Sequence, residues 1–363
     1  MATGLSKWWD FALGRRSRAE SAAVPNYRRR GVLSDESKRA RRLSKVQAPR
    51  LESIGQEIVP GPRLTPASSW VCQYQEIKPE AIAGSGADAV VLDTSKDGSR
   101  ETFFTPAELD TMRAGKARKL IGYMSIGEAE YCRFYWRENW LSNGEKTGAA
   151  PAWLNRPNED NWAGNWTVRF WDPAWQDIII NRPDSFLNRI IDHGFDGVFL
   201  DIIDAYIYWM NSDRGAARRP TAASEMVTFV RRIAEHARVK RGKPDFAVVP
   251  INGEQLLKFP EFCAAISAIG KEDVFYEQVG KANQKPRIKA RDEAEIEEIV
   301  SHLRLAIANR IPVLSMEYLR DWPEDAAKVA PLLARLRSLG YVPYFCKRNL
   351  ADLSKVTLPE AVA

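Results

Sequence analysis

From about residue 66 onward, short apolar runs alternate with longer stretches in which apolar residues recur every three or four positions. A bounded run of four to eight mostly apolar residues reads as a buried strand, and the three- and four-residue recurrence reads as one helix face laid on a sheet. Eight segments fit the first pattern: 69–75 (SWVCQYQ), 88–95 (DAVVLDTS), 119–128 (KLIGYMSIGE), 196–204 (DGVFLDIID), 246–254 (FAVVPINGE), 264–273 (AAISAIGKED), 311–319 (IPVLSMEYL) and 341–346 (YVPYFC). The clearest helices are expected over 104–119, 175–194, 221–242, 292–310 and 323–340, the third marked by Met226, Phe229, Val230 and Ile233. Thr105-Pro106 opens the first of these and Gly340 closes the last, as helix punctuation should. Alternating strands and helices in this number predict an α/β fold, a single (β/α)8 TIM barrel over residues 66–363. A doubly wound open sheet is the alternative, but it usually has fewer strands.

The longest interruption follows the third strand, from about 128 to 173, and is rich in Trp, Asn, Gly and Pro. Connections in compact domains are usually a few residues long, so this insertion is expected to wall an active site. Residues 1–65 differ from all that follows. Apart from Trp8, Trp9 and Phe11 they have little apolar periodicity, and they carry the basic clusters GRRSR, YRRR and KRARR. Thirteen Lys/Arg against four Asp/Glu place +9 on residues 1–50 of a chain whose total is +6, so the remainder is mildly acidic at −3. A basic, largely disordered extension is the expectation, with no nucleic-acid partner for the body of the protein. No apolar run is long enough to span a membrane, and no charged-then-apolar secretory signal stands at the N-terminus. The scattered Cys72, Cys132, Cys263 and Cys346 form no CxxC pair and read as free thiols.

In parallel β/α barrels the chemistry sits where strands end. Those ends carry Gln73, Gln75, Asp93, Glu128, Glu130, Asp201, Asp204, Asn252, Glu254, Glu272, Asp273, Glu317 and Tyr318, a rim crowded with carboxylates. Tyr123, Trp171 and Tyr206 lie in the same segments and join the candidate substrate contacts. His193, His236 and His302 all fall on helices or helix ends, which removes a histidine-based triad and a histidine-ligated zinc site. The one Gly-rich stretch, Gly84-Ser85-Gly86, precedes a strand where a phosphate cradle would follow one. An oxygen-only magnesium or calcium site stays open on composition alone, although no metal or cofactor is expected. Glycosidic cleavage by two carboxyl groups needs neither histidine nor cofactor. The tryptophans Trp136, Trp140, Trp153, Trp162, Trp166, Trp171, Trp175, Trp209 and Trp322, in or beside the rim segments, suit the apolar faces of sugar rings.

Six blocks, YMSIGEAEYCRFYW, RFWDPAWQ, GFDGVFLDIIDAYIYW, PINGEQLL, IGKEDVFYE and PVLSMEYL, occur in an order and spacing that resembles the endo-α-1,4-polygalactosaminidase-like barrels of glycoside hydrolase family 114. The resemblance covers about residues 68–350. It implies a retaining glycoside hydrolase acting on α-linked amino-sugar polymers or oligomers. By the same resemblance Asp201, closing DGVFLD, is the nucleophile, Glu254 in INGEQ is the acid/base, and Glu128 and Glu317 contact substrate or tune a pKa. A carbohydrate-binding barrel that has lost catalysis is the alternative.

Overall fold

The computed structural model describes residues 60–65, 68–158, 164–211, 218–279, 287–320 and 325–353. The first 59 residues of the basic extension, and Trp162 and Trp322, lie outside the described residues. Eight parallel strands run in chain order: β1 (Trp70–Gln73), β2 (Ala89–Leu92), β3 (Lys119–Ser125), β4 (Gly197–Asp201), β5 (Ala247–Pro250), β6 (Ile269–Glu272), β7 (Val313–Glu317) and β8 (Tyr341–Phe345). Backbone ladders join β1 through β5 into one sheet and β6 through β8 into another. A single parallel bridge, Ile251 to Gly270, connects the two. The sheet is strongly curved, because Trp70 on β1 meets Phe199 on β4 with ring centroids 6.3 Å apart. At the far seam the Trp70 indole donates to the Val342 carbonyl at 2.9 Å, and the Tyr344 hydroxyl donates to the Cys72 carbonyl at 3.2 Å. Among the described residues these side chains, not a ladder, join β8 to β1.

Every residue of β1, β2, β5 and β7 is buried, as expected of strands covered on both faces. The helices form where capping chemistry allows. Thr105 caps Pro106–Arg113 through a reciprocal capping box with Glu108, and Ala114 ends that helix in the left-handed region. The stretch 175–194, expected as one helix, is two. Pro183 cannot continue a helix, so a π-helical turn over Asp177–Asn181 stops short of it, and Ser185 then caps Phe186–His193. The amphipathic helix Ala222–Glu235 buries Met226, Phe229, Val230 and Ile233. After β5 the chain makes a 3₁₀ turn, Glu254–Lys258, and a short helix, Pro260–Ala265.

The insertion after β3 is itself ordered. Glu128–Glu130 pairs antiparallel with Asn165–Val168, which pairs with Leu154–Pro157. Trp140, Trp153, Trp166 and Trp175 are buried, with ring centroids 5.3 Å apart between Trp140 and Trp153 and 4.8 Å between Trp153 and Trp175. These indoles knit the wall together, so the expectation that they offer free platforms to sugar rings is corrected. The N-terminal boundary also moves. Gly61 and Leu64 donate their N–H groups to Ala264 and Ser267 at 2.8 and 2.9 Å, and the Arg63 guanidinium bonds the Cys263 and Ile266 carbonyls. Residues 60–65, which the sequence assigns to the extension, dock on the body of the fold.

Candidate active site

Three successive strands, β4, β5 and β6, are followed within two residues by non-glycine residues with left-handed backbone: Ile202 (φ 57°), Asn252 (φ 62°) and Asp273 (φ 52°). Each of these turns lies next to, or within two residues of, a carboxyl-bearing residue: Asp201, Glu254 and Glu272. At the first, the Ile202 N–H donates to Asp201 Oδ1 at 2.8 Å, and the Tyr123 hydroxyl from β3 donates to Oδ2 at 2.9 Å. Gly127 makes room for this turn, since a Cβ there would lie 2.2 Å from the Ile202 carbonyl oxygen. Burial, then the charge of Glu272, pushes the Asp201 carboxyl up to about 8, against the pull of the Ile202 and Tyr123 hydrogen bonds.

At the second turn Gly253 follows Asn252, also with positive φ, and opens the 3₁₀ turn that starts with Glu254. Glu254 is buried, with Lys271 Nζ 3.5 Å from its Oε2. The neighbouring Gln255 accepts from the Tyr206 hydroxyl at 3.0 Å. Asn252 is a hub: its amide donates to Glu272 Oε2 at 2.8 Å, and its Oδ1 accepts from Lys271 Nζ at 3.2 Å and from the Glu272 N–H at 3.3 Å. The Tyr318 hydroxyl donates to Glu272 Oε1. Asp204 stands at the open side of this group. Protein crowding, with Glu254 and Glu272 adding to it and Lys271 opposing, raises its carboxyl, and the solvent that reaches the residue limits the rise.

Asp201, Asp204, Asn252, Glu254, Glu272, Tyr123 and Tyr206 therefore belong to one cluster. The other candidates lie around it. Asp93 and Glu130 are held by one buried arginine: Arg133 makes paired contacts of 3.0 and 2.8 Å to Asp93, and its Nε is 2.7 Å from Glu130. Glu128 is buried in the insertion and accepts from Asn158 and Asn165 at 2.7 and 3.4 Å; burial lifts its carboxyl to about 7. Glu317 is fully buried, accepts from the Val274 N–H at 3.1 Å, and has its carboxyl raised far above the usual range by burial and by Asp273. Trp171 packs edge-on to Trp209 with ring centroids 4.7 Å apart, under the Arg219 guanidinium. Gln73 points elsewhere, its amide donating to the Gln75 and Ala351 carbonyls at 2.8 and 2.9 Å.

Four residues of this architecture were not singled out from the sequence as site candidates: Tyr74, whose ring centroid lies 4.7 Å from that of Tyr123, Gln255, Lys271 and Arg133. Lys271 precedes Glu272 within a strand-end motif, so its position was readable. For Arg133 the signal was the i, i+3 spacing from Glu130.

Carboxyl groups gathered at the ends of consecutive parallel strands, one of them hydrogen-bonded by a hydroxyl and an amide, are an arrangement of the kind that two-carboxyl glycosidic cleavage uses, and the family of the chain gives the class: an enzyme that hydrolyses glycosidic bonds. The chain belongs to glycoside-hydrolase family GH114, whose pattern matches residues 56–360. An uncharacterised protein of Thermotoga maritima is 31% identical over 303 residues, covering 82% of this chain and 85% of that one. Another, from Deinococcus radiodurans, is 35% identical over 296 residues, covering 80% of this chain and 84% of its own length. In three dimensions the chain is similar to the glycoside hydrolase domain of PelA from Pseudomonas aeruginosa, with a TM-score of 0.55 and 22% identity over 78% of this chain and 96% of that domain. This likeness extends to the fold.

Proposed function

We propose that this protein is a retaining hydrolase of α-linked amino-sugar chains of the galactosamine type, working from a closed eight-stranded barrel. Asp201 attacks the anomeric carbon while Glu254 gives a proton to the departing glycosidic oxygen, so that one C–O bond forms as the other breaks. Glu254 then takes a proton from water, which displaces Asp201 and restores both groups. The observation that carries this reading is the convergence of Asp201, Asp204, Glu254 and Glu272 at the ends of β4, β5 and β6, with Lys271 as the counter-cation.

The amino-sugar preference rests on the same group. Carboxyls that raise one another are relieved by a bound cation, and a sugar ammonium placed among them favours the ionised form of Asp201 that attack requires. The free cleft would then keep its nucleophile protonated until such a substrate arrives. The test is a glycan panel comparing acetylated with deacetylated galactosamine polymers, with the released anomer followed by NMR. Cleavage of the deacetylated polymer with retention is expected. Release of the inverted anomer would remove the nucleophile role, and equal turnover of both polymers would remove the ammonium preference.

A further inference from the structure

Behind the Asp201 carboxylate lies a second buried ion cluster. Arg133, whose side chain is 2% exposed, lies between Asp93 and Glu130, contacting both oxygens of each: 3.0 and 2.8 Å to Asp93, 2.7 and 3.3 Å to Glu130. Its guanidinium also lies over two rings, 5.3 Å from the Tyr123 centroid and 5.5 Å from that of Phe186. Asp93 is further fixed by the Ser95 N–H at 3.0 Å, and the Glu130 N–H donates to the Tyr135 hydroxyl at 3.1 Å. Tyr123 links this cluster to the strand-end group, its hydroxyl lying within reach of both Glu130 and Asp201.

Tyr123 has one hydroxyl hydrogen and two carboxylates in reach. Asp201 Oδ2 is 2.9 Å from the hydroxyl oxygen, and Glu130 Oε1 is 3.5 Å from it. A phenol can serve one acceptor well, and an unclaimed carboxylate is the stronger competitor. Glu130 is not unclaimed, because Arg133 satisfies both its oxygens. We infer that Arg133 is a positioning residue: by occupying Glu130 and lying against the Tyr123 ring, it reserves the Tyr123 hydrogen bond for Asp201. This inference rests on the nucleophile role given to Asp201 above.

Asp201 is faced by Cys72 on β1, Tyr74 just past it, Tyr123 from β3, Asp204 beyond β4 and Glu272 from β6. Tyr123 and the Ile202 N–H are the groups that favour its charged form by hydrogen bonding, so loss of the Tyr123 bond disfavours the anion. Ordinary electrostatics and positioning make different predictions for the charge-conserving variant. Arg133→Lys keeps the positive charge, but one ammonium cannot engage both carboxylates in the planar, paired way a guanidinium does. It frees Glu130 to draw the Tyr123 hydroxyl away. Glu130→Gln removes the charged competitor and leaves Arg133 paired with Asp93.

The experiment follows the Asp201 carboxyl by ¹³C NMR titration in the full-length protein, its signal identified by disappearance in Asp201→Asn, alongside the acid limb of kcat/KM. Arg133→Lys should move the Asp201 titration up by about half a pH unit or more, and Glu130→Gln should move it down. The double variant should titrate below Arg133→Lys, because the competitor is gone. A role confined to holding the insertion on β2 would change the melting temperature and leave the Asp201 titration where it was. Unshifted titration in both variants, or shifts of the same sign, overturns the inference. Where Arg133→Lys fails to fold, Glu130→Gln measured with and without Tyr123→Phe keeps the test available: a shift of the same size once the hydroxyl is gone is plain charge removal and overturns the inference. Activity that survives in Asp201→Asn would strike at the nucleophile assignment, whereas an inactive Asp201→Asn with unmoved titrations would remove only the role given to Arg133.

Discussion

Glu272, two strands away from Asp201, is the charged neighbour that acts most strongly on it, adding to burial to hold the Asp201 carboxyl up at about 8. A nucleophile must be anionic, so activity should be lost as pH falls through that value. The acid limb of kcat/KM, which reports the free enzyme, should therefore lie well above the ordinary aspartate range of about 4. Glu272→Gln removes the repelling charge and should move the limb to lower pH by about one unit. A limb that stays in place in this variant, with activity otherwise measurable, would show that Glu272 does not govern Asp201.

The same carboxyl has a cost in stability. Its value in the folded chain is raised above its unfolded one, so the unfolded chain gives up the proton first as pH rises. The stability associated with this group is whole below about pH 4 and falls as pH climbs toward 8. Glu128 and Asp273, each raised to about 7, act in the same direction. Asp201→Asn should abolish turnover, with partial rescue by azide and inversion of the anomer, while raising stability at pH 8 by about 1–3 kcal/mol. Denaturant melts of both proteins at pH 5 and pH 8 measure this, and a gap between them that fails to widen at the higher pH contradicts it.

Glu254 is expected to show a different pattern. Glu254→Ala should slow natural substrates by roughly 10²–10⁴-fold and spare substrates whose leaving groups need little protonation. With such activated substrates the glycosyl-enzyme should build up, and mass spectrometry should find the sugar on the peptide containing Asp201. Equal slowing of both kinds of substrate would take the acid role away from Glu254.

A chain started at residue 66 should be less stable than one started at residue 56, where the family pattern begins. It loses the buried Leu64, the N–H bonds of Gly61 and Leu64, and the Arg63 contacts to the Cys263 and Ile266 carbonyls. Together these are worth about 2 kcal/mol or more, readable as a lowered melting temperature. Identical melts for the two chains would mean that the segment docks without contributing.

How much of this was legible depended on the kind of pattern involved. The eight strands were readable because a strand covered on both faces has to be an apolar run, and β2 and β7 have no exposed residue to blur it. The rim followed, since Asp201, Glu254 and Glu272 sit at or just past the ends of such runs. The insertion was not readable. Its antiparallel pairing of Glu128–Glu130 with Asn165–Val168 joins residues far apart in sequence, through segments too short to show alternation. The tryptophans misled for a related reason: Trp175 is fully buried and donates to the Ile126 carbonyl at 2.9 Å, and composition cannot tell such an indole from an exposed one. Arg133 escaped because a search for carboxylates at strand ends passes over the cation that claims two of them.

The left-handed corners at Ile202, Asn252 and Asp273 set the terms on which this chain can be improved. A β-branched residue such as Ile202, with φ at 57°, holds a conformation it would not choose, and glycine would adopt it freely. Anyone seeking a hardier variant by easing backbone tension at the rim would be led to Ile202, since Asn252 and Asp273 are residue types that accept the left-handed region. The Ile202 N–H holds Asp201 Oδ1, so relief there would slacken the amide that clasps this carboxyl. Heat resistance in this protein is better sought on the outer helices, where a substitution cannot disturb the rim.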